Sequence, residues 1–139
     1  MRDLVRQALR MRPDRLVVGE VRGAEVVDLL AALNTGHEGG CGTVHANSAS
    51  DVPARLEALA LAAGLPRAAL HAQLAAGLDA VVHVGRQQRG LRMVREVCVL
   101  RSGADHLVEA IPALLFDPQG VRAGPGLASL TARLGSAAP

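Results

Sequence analysis

Apolar residues recur at helical spacing from the start of the chain, where Leu4, Val5, Ala8 and Leu9 form one stripe. That helix must end before Pro13, because the residue preceding a proline is driven out of the helical region. The uninterrupted run Leu16-Val17-Val18 then predicts a strand over residues 15–20, buried on both faces as in a parallel sheet. Val26, Val27, Leu30 and Leu33 restore the helical period and predict a helix over residues 23–34, stopped by Asn34-Thr35-Gly36. A second short strand is expected over residues 42–46.

Ser48 to Asp51 come close to a capping box, and a helix is predicted over residues 51–63, with Leu56, Leu59 and Ala63 on one face. Gly64 and Pro66 end it. A further amphipathic helix over residues 67–78 turns Leu70 and Leu74 inward and leaves His71 as a solvated surface histidine. After Asp79 the period falls to two. Residues 80–85, 91–100 and 106–111 read as strands joined by polar turns, an antiparallel meander. Its arginines at 86, 89, 92, 95 and 101 suit a solvated face, with contact to a neighbouring subunit or acidic partner as the sharper alternative. Beyond residue 112 the pattern fades. Pro118, Gly120 and Gly124-Pro125-Gly126 suggest a poorly ordered tail over residues 113–139, with a short helix near 127–134. The expected organisation is one folded unit over residues 1–112 and that tail.

Strand ends locate the candidate chemistry. In open parallel sheets ligands lie beyond the carboxyl ends of the strands, which is where Glu20 emerges. A carboxylate there suits a magnesium ion or its water beside a phosphate, since hard cations take oxygen ligands. The plainer alternative is a strand-end glutamate paired with Arg22. Alternation places Cys41, Thr43 and His45 on one face of the second strand. An imidazole at a strand end can donate to a phosphate oxygen or orient a water; it can also be an ordinary structural histidine. His37, Cys41 and His45 are ligand types that zinc accepts, but a structural zinc site takes four ligands, so the triplet reads as a strand cysteine between two phosphate-side histidines. The glycines of GHEGGCG precede a strand instead of following one, so they form a turn and not a phosphate cradle.

RPDRLVVGEVRG at residues 12–23, followed by NTGHEGGCGTVHANS at 34–48, closely resembles the Walker B and histidine-box segments of the type II/IV secretion ATPases, in particular the CpaF-like branch that powers tight-adherence pilus assembly. The resemblance extends upstream over residues 1–6 and 9–12 and downstream over 51–61, then more weakly to about residue 100. It implies an α/β fold: the C-terminal part of a RecA-like P-loop NTPase domain, a parallel sheet with flanking helices, followed by the helical pair and the meander. It also implies that Glu20 helps bind Mg-ATP, that His45 approaches the γ-phosphate, and that Thr43 lies on the nucleotide side. By the same resemblance His37 belongs to the histidine box, while Gly19 and Arg22 are supporting residues. The partners it implies are like subunits of a hexameric ring and inner-membrane secretion or pilus platform proteins.

Composition limits that inheritance. All 15 basic residues are arginine, whereas a P-loop requires a lysine at the terminal phosphates. The expectation is therefore the C-terminal portion of a secretion ATPase, truncated or split, without autonomous ATPase activity. The alternative is a non-catalytic interaction or regulatory module docking on a full-length ring. A net charge of +2, with no tryptophan or tyrosine and only Phe116, argues against nucleic acid as a partner. Two cysteines make no disulfide framework, so the cytoplasm is expected. No run reaches the ~18 apolar residues of a membrane helix, so membrane contact is expected only through partners. Strand 15–20, central in the family's sheet, is expected to have an exposed edge and to favour self-association.

Overall fold

Two sheets of opposite type organise the chain, whose computed structural model describes residues 2–36, 39–86 and 90–136. The first is a parallel pair, β1 (Val17–Val18) with β2 (Cys41–Gly42), in the register Val17 to Cys41 and Val18 to Gly42. The helix between them, α2 (Glu25–Leu33), is the crossover that a parallel connection needs. Regular pairing is shorter than the expected strands, but single bonds extend it: Cys41 N donates to Leu16 O at 2.9 Å and Val21 N to Thr43 O at 2.7 Å. Burial on both faces does not occur. Val18 is 5% exposed and Val17 69%, because α2 covers one face of the pair and leaves the other open.

Helix α1 (Arg2–Arg10) docks on α2 through Val5 and through Asp28, whose carboxylate accepts from Arg2 Nε at 2.6 Å and Arg6 Nε at 2.9 Å. At the start of α2 no preceding side chain caps the helix; Glu25 instead accepts from Arg22 N at 2.8 Å and Gly23 N at 3.0 Å. Those N–H groups belong to the two residues just before Ala24, the N-cap, so the bonds fix the entry into the helix. At the other end Asn34 Nδ2 donates to Leu30 O at 2.8 Å and to Gln73 O at 3.1 Å, which ties α2 to α4 (Arg67–Gly77).

A 3₁₀ turn (Ala49–Asp51) leads into α3 (Val52–Ala62), and α4 (Arg67–Gly77) packs against it. The expected capping box does not form. Ser48 Oγ pairs with Ser50 Oγ at 2.8 Å, and Asp51 lies within the 3₁₀ turn. Leu56, Ala60, Leu70 and Leu74 join Val26 and Leu30 in one core. His71 is not on the surface: it is 4% exposed, between Glu57 and the Val108 backbone, because β5 (Val108–Asp117) covers the face of α4 that the helical wheel left open.

The second sheet is antiparallel, in the order β3 (Ala80–Arg86), β4 (Arg92–Ser102), β5 (Val108–Asp117), β6 (Gly120–Ala123). It is the expected meander with a strand added. Residues 113–136, expected as a loose tail, instead complete β5, form β6 and end in α5 (Leu127–Ser136). Two features reconcile this with the sequence. Pro112 sits opposite Cys98, where the register of β4 and β5 shifts, and such irregularities are where a strand tolerates a residue without an N–H. The glycines that suggested disorder are close-approach positions. Gly124 N donates to Ala113 O at 2.9 Å and Gly126 N to Pro112 O at 2.8 Å, and a Cβ on Gly126 would stand 2.8 Å from Ile111 O. Arg133 then fastens α5 to Asp79 at 2.6 Å and to Leu100 O at 3.2 Å.

Candidate functional site

The site lies just past the parallel pair. Gly19 and Glu20 follow β1, and Thr43 follows β2; Thr43 Oγ1 donates to the Gly19 carbonyl, and Thr43 N to Val18 O at 3.3 Å. Gly42 makes this close approach possible: a Cβ there would stand 3.0 Å from Leu29 Cδ2 and 3.2 Å from Val21 Cγ2. The chain then runs without ladder pairing to the 3₁₀ turn and carries His45 on the way.

This path brings Glu20 and His45 together. His45 Nε2 lies 3.4 Å from Glu20 Oε1, and Arg22 Nη1 lies 4.0 Å from Glu20 Oε2. The glutamate side chain is 39% exposed, Arg22 77% and His45 88%. Such open pairs contribute little stability, so the cluster does not hold the fold together. Glu20 therefore has beside it Arg22, its expected neighbour, and also His45, which the sequence reading had not paired with it. Cys41, Thr43 and His45 are all exposed, although regular strand geometry ends at Gly42. His37 lies outside the described residues.

A cavity of about 560 Å³ opens beside these groups, with Thr43 and His45 on one wall and Val82 and His83 of β3 on the other. It is floored mainly by apolar side chains, among them Val21 and Leu29. Sequence reading passed over His83 and its neighbour Glu96. Both sit in alternating strands whose period says nothing of what they face. Glu96 Oε1 accepts from Ala49 N at 3.2 Å and lies 3.5 Å from His83 Nδ1, and Cys98 Sγ is 3.8 Å from Glu96 Oε2.

The donor set fits one side of a magnesium nucleotide. Glu20 would offer carboxylate oxygens to such an ion's water shell, and His45 would offer a polar ring to a phosphate. Among the described residues no group of three or more His, Cys, Asp or Glu is gathered to hold a metal by itself. A phosphate cradle is a different matter. The turn between β1 and α2 already holds a carboxylate, since the Arg22 and Gly23 N–H groups bind Glu25.

Residues 1–124 match the family model described as "Type II/IV secretion system protein". The chain belongs to this family. It is 66% identical over 111 residues to a putative conjugal transfer protein of Mycobacterium tuberculosis, a match covering 80% of this chain and 31% of that protein. It is 41% identical over 97 residues to the probable conjugal transfer protein TrbB of Sinorhizobium fredii, covering 70% of this chain and 29% of the relative. Among solved structures it resembles the VirB11 ATPase of the Brucella suis type IV secretion system, crystallised with sulphate. That likeness has a TM-score of 0.63 and 32% identity, over 70% of this chain and 31% of the other. The chain thus spans less than a third of the length of these relatives. Among the described residues no helix is long and apolar enough to cross a membrane.

Proposed function

We propose that the chain supplies the magnesium and γ-phosphate edge of a secretion ATPase site. Glu20 holds the magnesium through water and His45 meets the terminal phosphate. The observation that carries this reading is the 3.4 Å approach of His45 to Glu20 at the end of a parallel pair, in a chain of the secretion family. Gly19 and Thr43 support it through the hydrogen bond that joins the two strand ends, with Arg22 as the glutamate's outer neighbour. When bound, Mg-ATP would supply the phosphoryl group and its counter-charge, which these residues would orient.

With no lysine in the chain, the phosphate cradle comes from another polypeptide segment. The isolated chain therefore binds nucleotide weakly and does not hydrolyse it. In this reading it acts in the cytoplasm within a hexameric ring of like subunits, against inner-membrane platform proteins of a conjugal-transfer, secretion or tight-adherence pilus machine.

One observation favours a second reading, a docking module on a full-length ring. Among the described residues β2 pairs with β1 alone, and the cavity separates Gly42 to Ala46 from β3. A sheet edge beside an apolar cavity is a surface that another chain can complete.

Titration with a non-hydrolysable Mg-ATP analogue, alone and with a P-loop-bearing relative, tests both readings. Nucleotide binding that appears only with the relative and weakens on Glu20→Gln is expected. Complex formation insensitive to Glu20→Gln and His45→Ala favours the docking module, and turnover by the isolated chain that Glu20→Gln abolishes overturns both.

A further inference from the structure

His45 has little to hold it. Its side chain is 88% exposed and its segment, residues 43–48, has no strand or helix of its own, so its position depends on the packing of Val44 and Ala46 against the core and on how the segment is fastened at its two ends. One end is Thr43, tied to Gly19 and Val18. The other is Ala49, four residues after His45 and fully buried. Ala49 opens the 3₁₀ turn before α3, where N–H groups lack intrahelical acceptors. Its N–H is taken by Glu96 Oε1 at 3.2 Å, from a strand 47 residues away in sequence.

The Glu96 carboxylate is itself well placed to act as an anchor. Glu96 stands directly opposite His83 in the β3–β4 ladder, next to the register shift at His83 and Val84. His83 Nδ1 is 3.5 Å from Oε1, the Cys98 thiol is 3.8 Å from Oε2, and the side chain is only 19% exposed. Neighbours on both sides thus orient a carboxylate that the sheet already positions. The same His83 lines the cavity that His45 also lines.

We infer that Glu96 is a positioning residue: by holding Ala49 it fixes the segment carrying His45 and so sets the approach of His45 to Glu20. This rests on the reading of Glu20 and His45 as the site pair. It makes the antiparallel sheet part of the site without its touching a ligand.

The test is a coupling measurement on the full chain with isotope-labelled histidines. The change in the His45 ring resonances caused by Glu20→Gln is recorded in the wild type, Glu96→Ala, Glu96→Gln and Val108→Ala backgrounds. Glu96→Ala is expected to cut that response about two-fold or more, whereas Glu96→Gln, which keeps an acceptor for Ala49 N, retains it. Val108→Ala controls for general loosening and also retains it. An undiminished response in Glu96→Ala, or an equal loss in Val108→Ala, overturns the inference. If Glu96→Ala does not fold, Glu96→Asp, which withdraws the carboxylate by one methylene, carries the same expectation and the same refutation. The readout needs no nucleotide, so failure of the Mg-ATP reading and failure of this one are distinguishable.

Discussion

His71 Nδ1 accepts the backbone N–H of Val108 at 2.9 Å, inside a contact that is almost wholly buried. This bond fixes the ring's tautomer: Nδ1 carries no hydrogen, and Nε2 donates to Glu57 at 3.0 Å. One imidazole therefore joins α3, α4 and the start of β5. It is a polar link between the helical pair and the antiparallel sheet.

Removing it should be costly. His71→Ala leaves the Val108 N–H buried without an acceptor, which costs about 1–3 kcal/mol. Urea denaturation should show a lower midpoint at unchanged slope, the unfolding free energy falling by that amount. A loss below about 0.5 kcal/mol, the usual size of a surface change, would show that water replaces the ring freely.

Acid should loosen the same helices. The hydrogen bond from His71, and next that from Arg67, holds Glu57 below its ordinary 4.5. Burial works to raise Asp28 and Glu25, but Arg2 and Arg6 in the first case, and the Arg22 and Gly23 N–H groups in the second, outweigh it and hold both carboxyls down. Groups with folded values below their unfolded ones add stability that is present above the unfolded value and lost as pH falls through the folded one. Melting temperature should therefore hold above pH ~5 and decline below about pH 4, with a shallower decline in Glu57→Gln and Asp28→Asn. An identical acid slope in all three proteins would assign the effect to other groups.

Thiol chemistry should separate the two cysteines. Burial, followed by the Glu96 charge, pushes the Cys98 thiol up to about 11, while Cys41 is exposed. Because the thiolate is the reactive form, native protein at neutral pH should take one maleimide, on Cys41, and unfolded protein two. Intact mass with peptide mapping reads this directly, and rapid native labelling of Cys98 contradicts it.

The C-terminal return should be intolerant of side chains. A Cβ on Gly124 would collide with the Pro112 carbonyl oxygen, a backbone atom that cannot swing aside. Gly124→Ala should cost about 1–3 kcal/mol and expose β5 to hydrogen exchange, in contrast to Gly135→Ala, where the added Cβ meets open space. Equal stability of the two variants would refute the close packing of that segment.

At the site, Glu20→Gln should leave the melting temperature within about a degree, because the residue makes only open contacts. In a reconstituted complex with a P-loop-bearing subunit the same change should lower nucleotide turnover about 10- to 100-fold. Unchanged turnover would move the metal-side role away from Glu20.

Much of the architecture was legible because period and punctuation act locally. Val26, Leu30, Leu70 and Leu74 announced their helices and their inward faces, and all four are buried. The meander likewise followed from alternation in residues 80–111. The glycines after Pro118 were misleading for a local reason as well. A glycine that frees a loop and one that lets two backbones touch look the same until the touching strand is known. His71 was misjudged similarly, since its helix is amphipathic in isolation and only β5 covers the remaining face.

By itself, the amino-acid sequence determined the family, through two long motifs in the right order, and the want of a phosphate-binding lysine, because a missing residue type cannot be restored by folding. It also nominated Glu20 and His45. The tertiary structure alone decided that these two approach each other, that Glu25 takes the Arg22 and Gly23 N–H groups, and that Glu96 fastens the segment carrying His45 to the sheet. Each of those is a contact between residues far apart in the chain or a choice among competing donors. Local pattern carries no information about either; packing settles both.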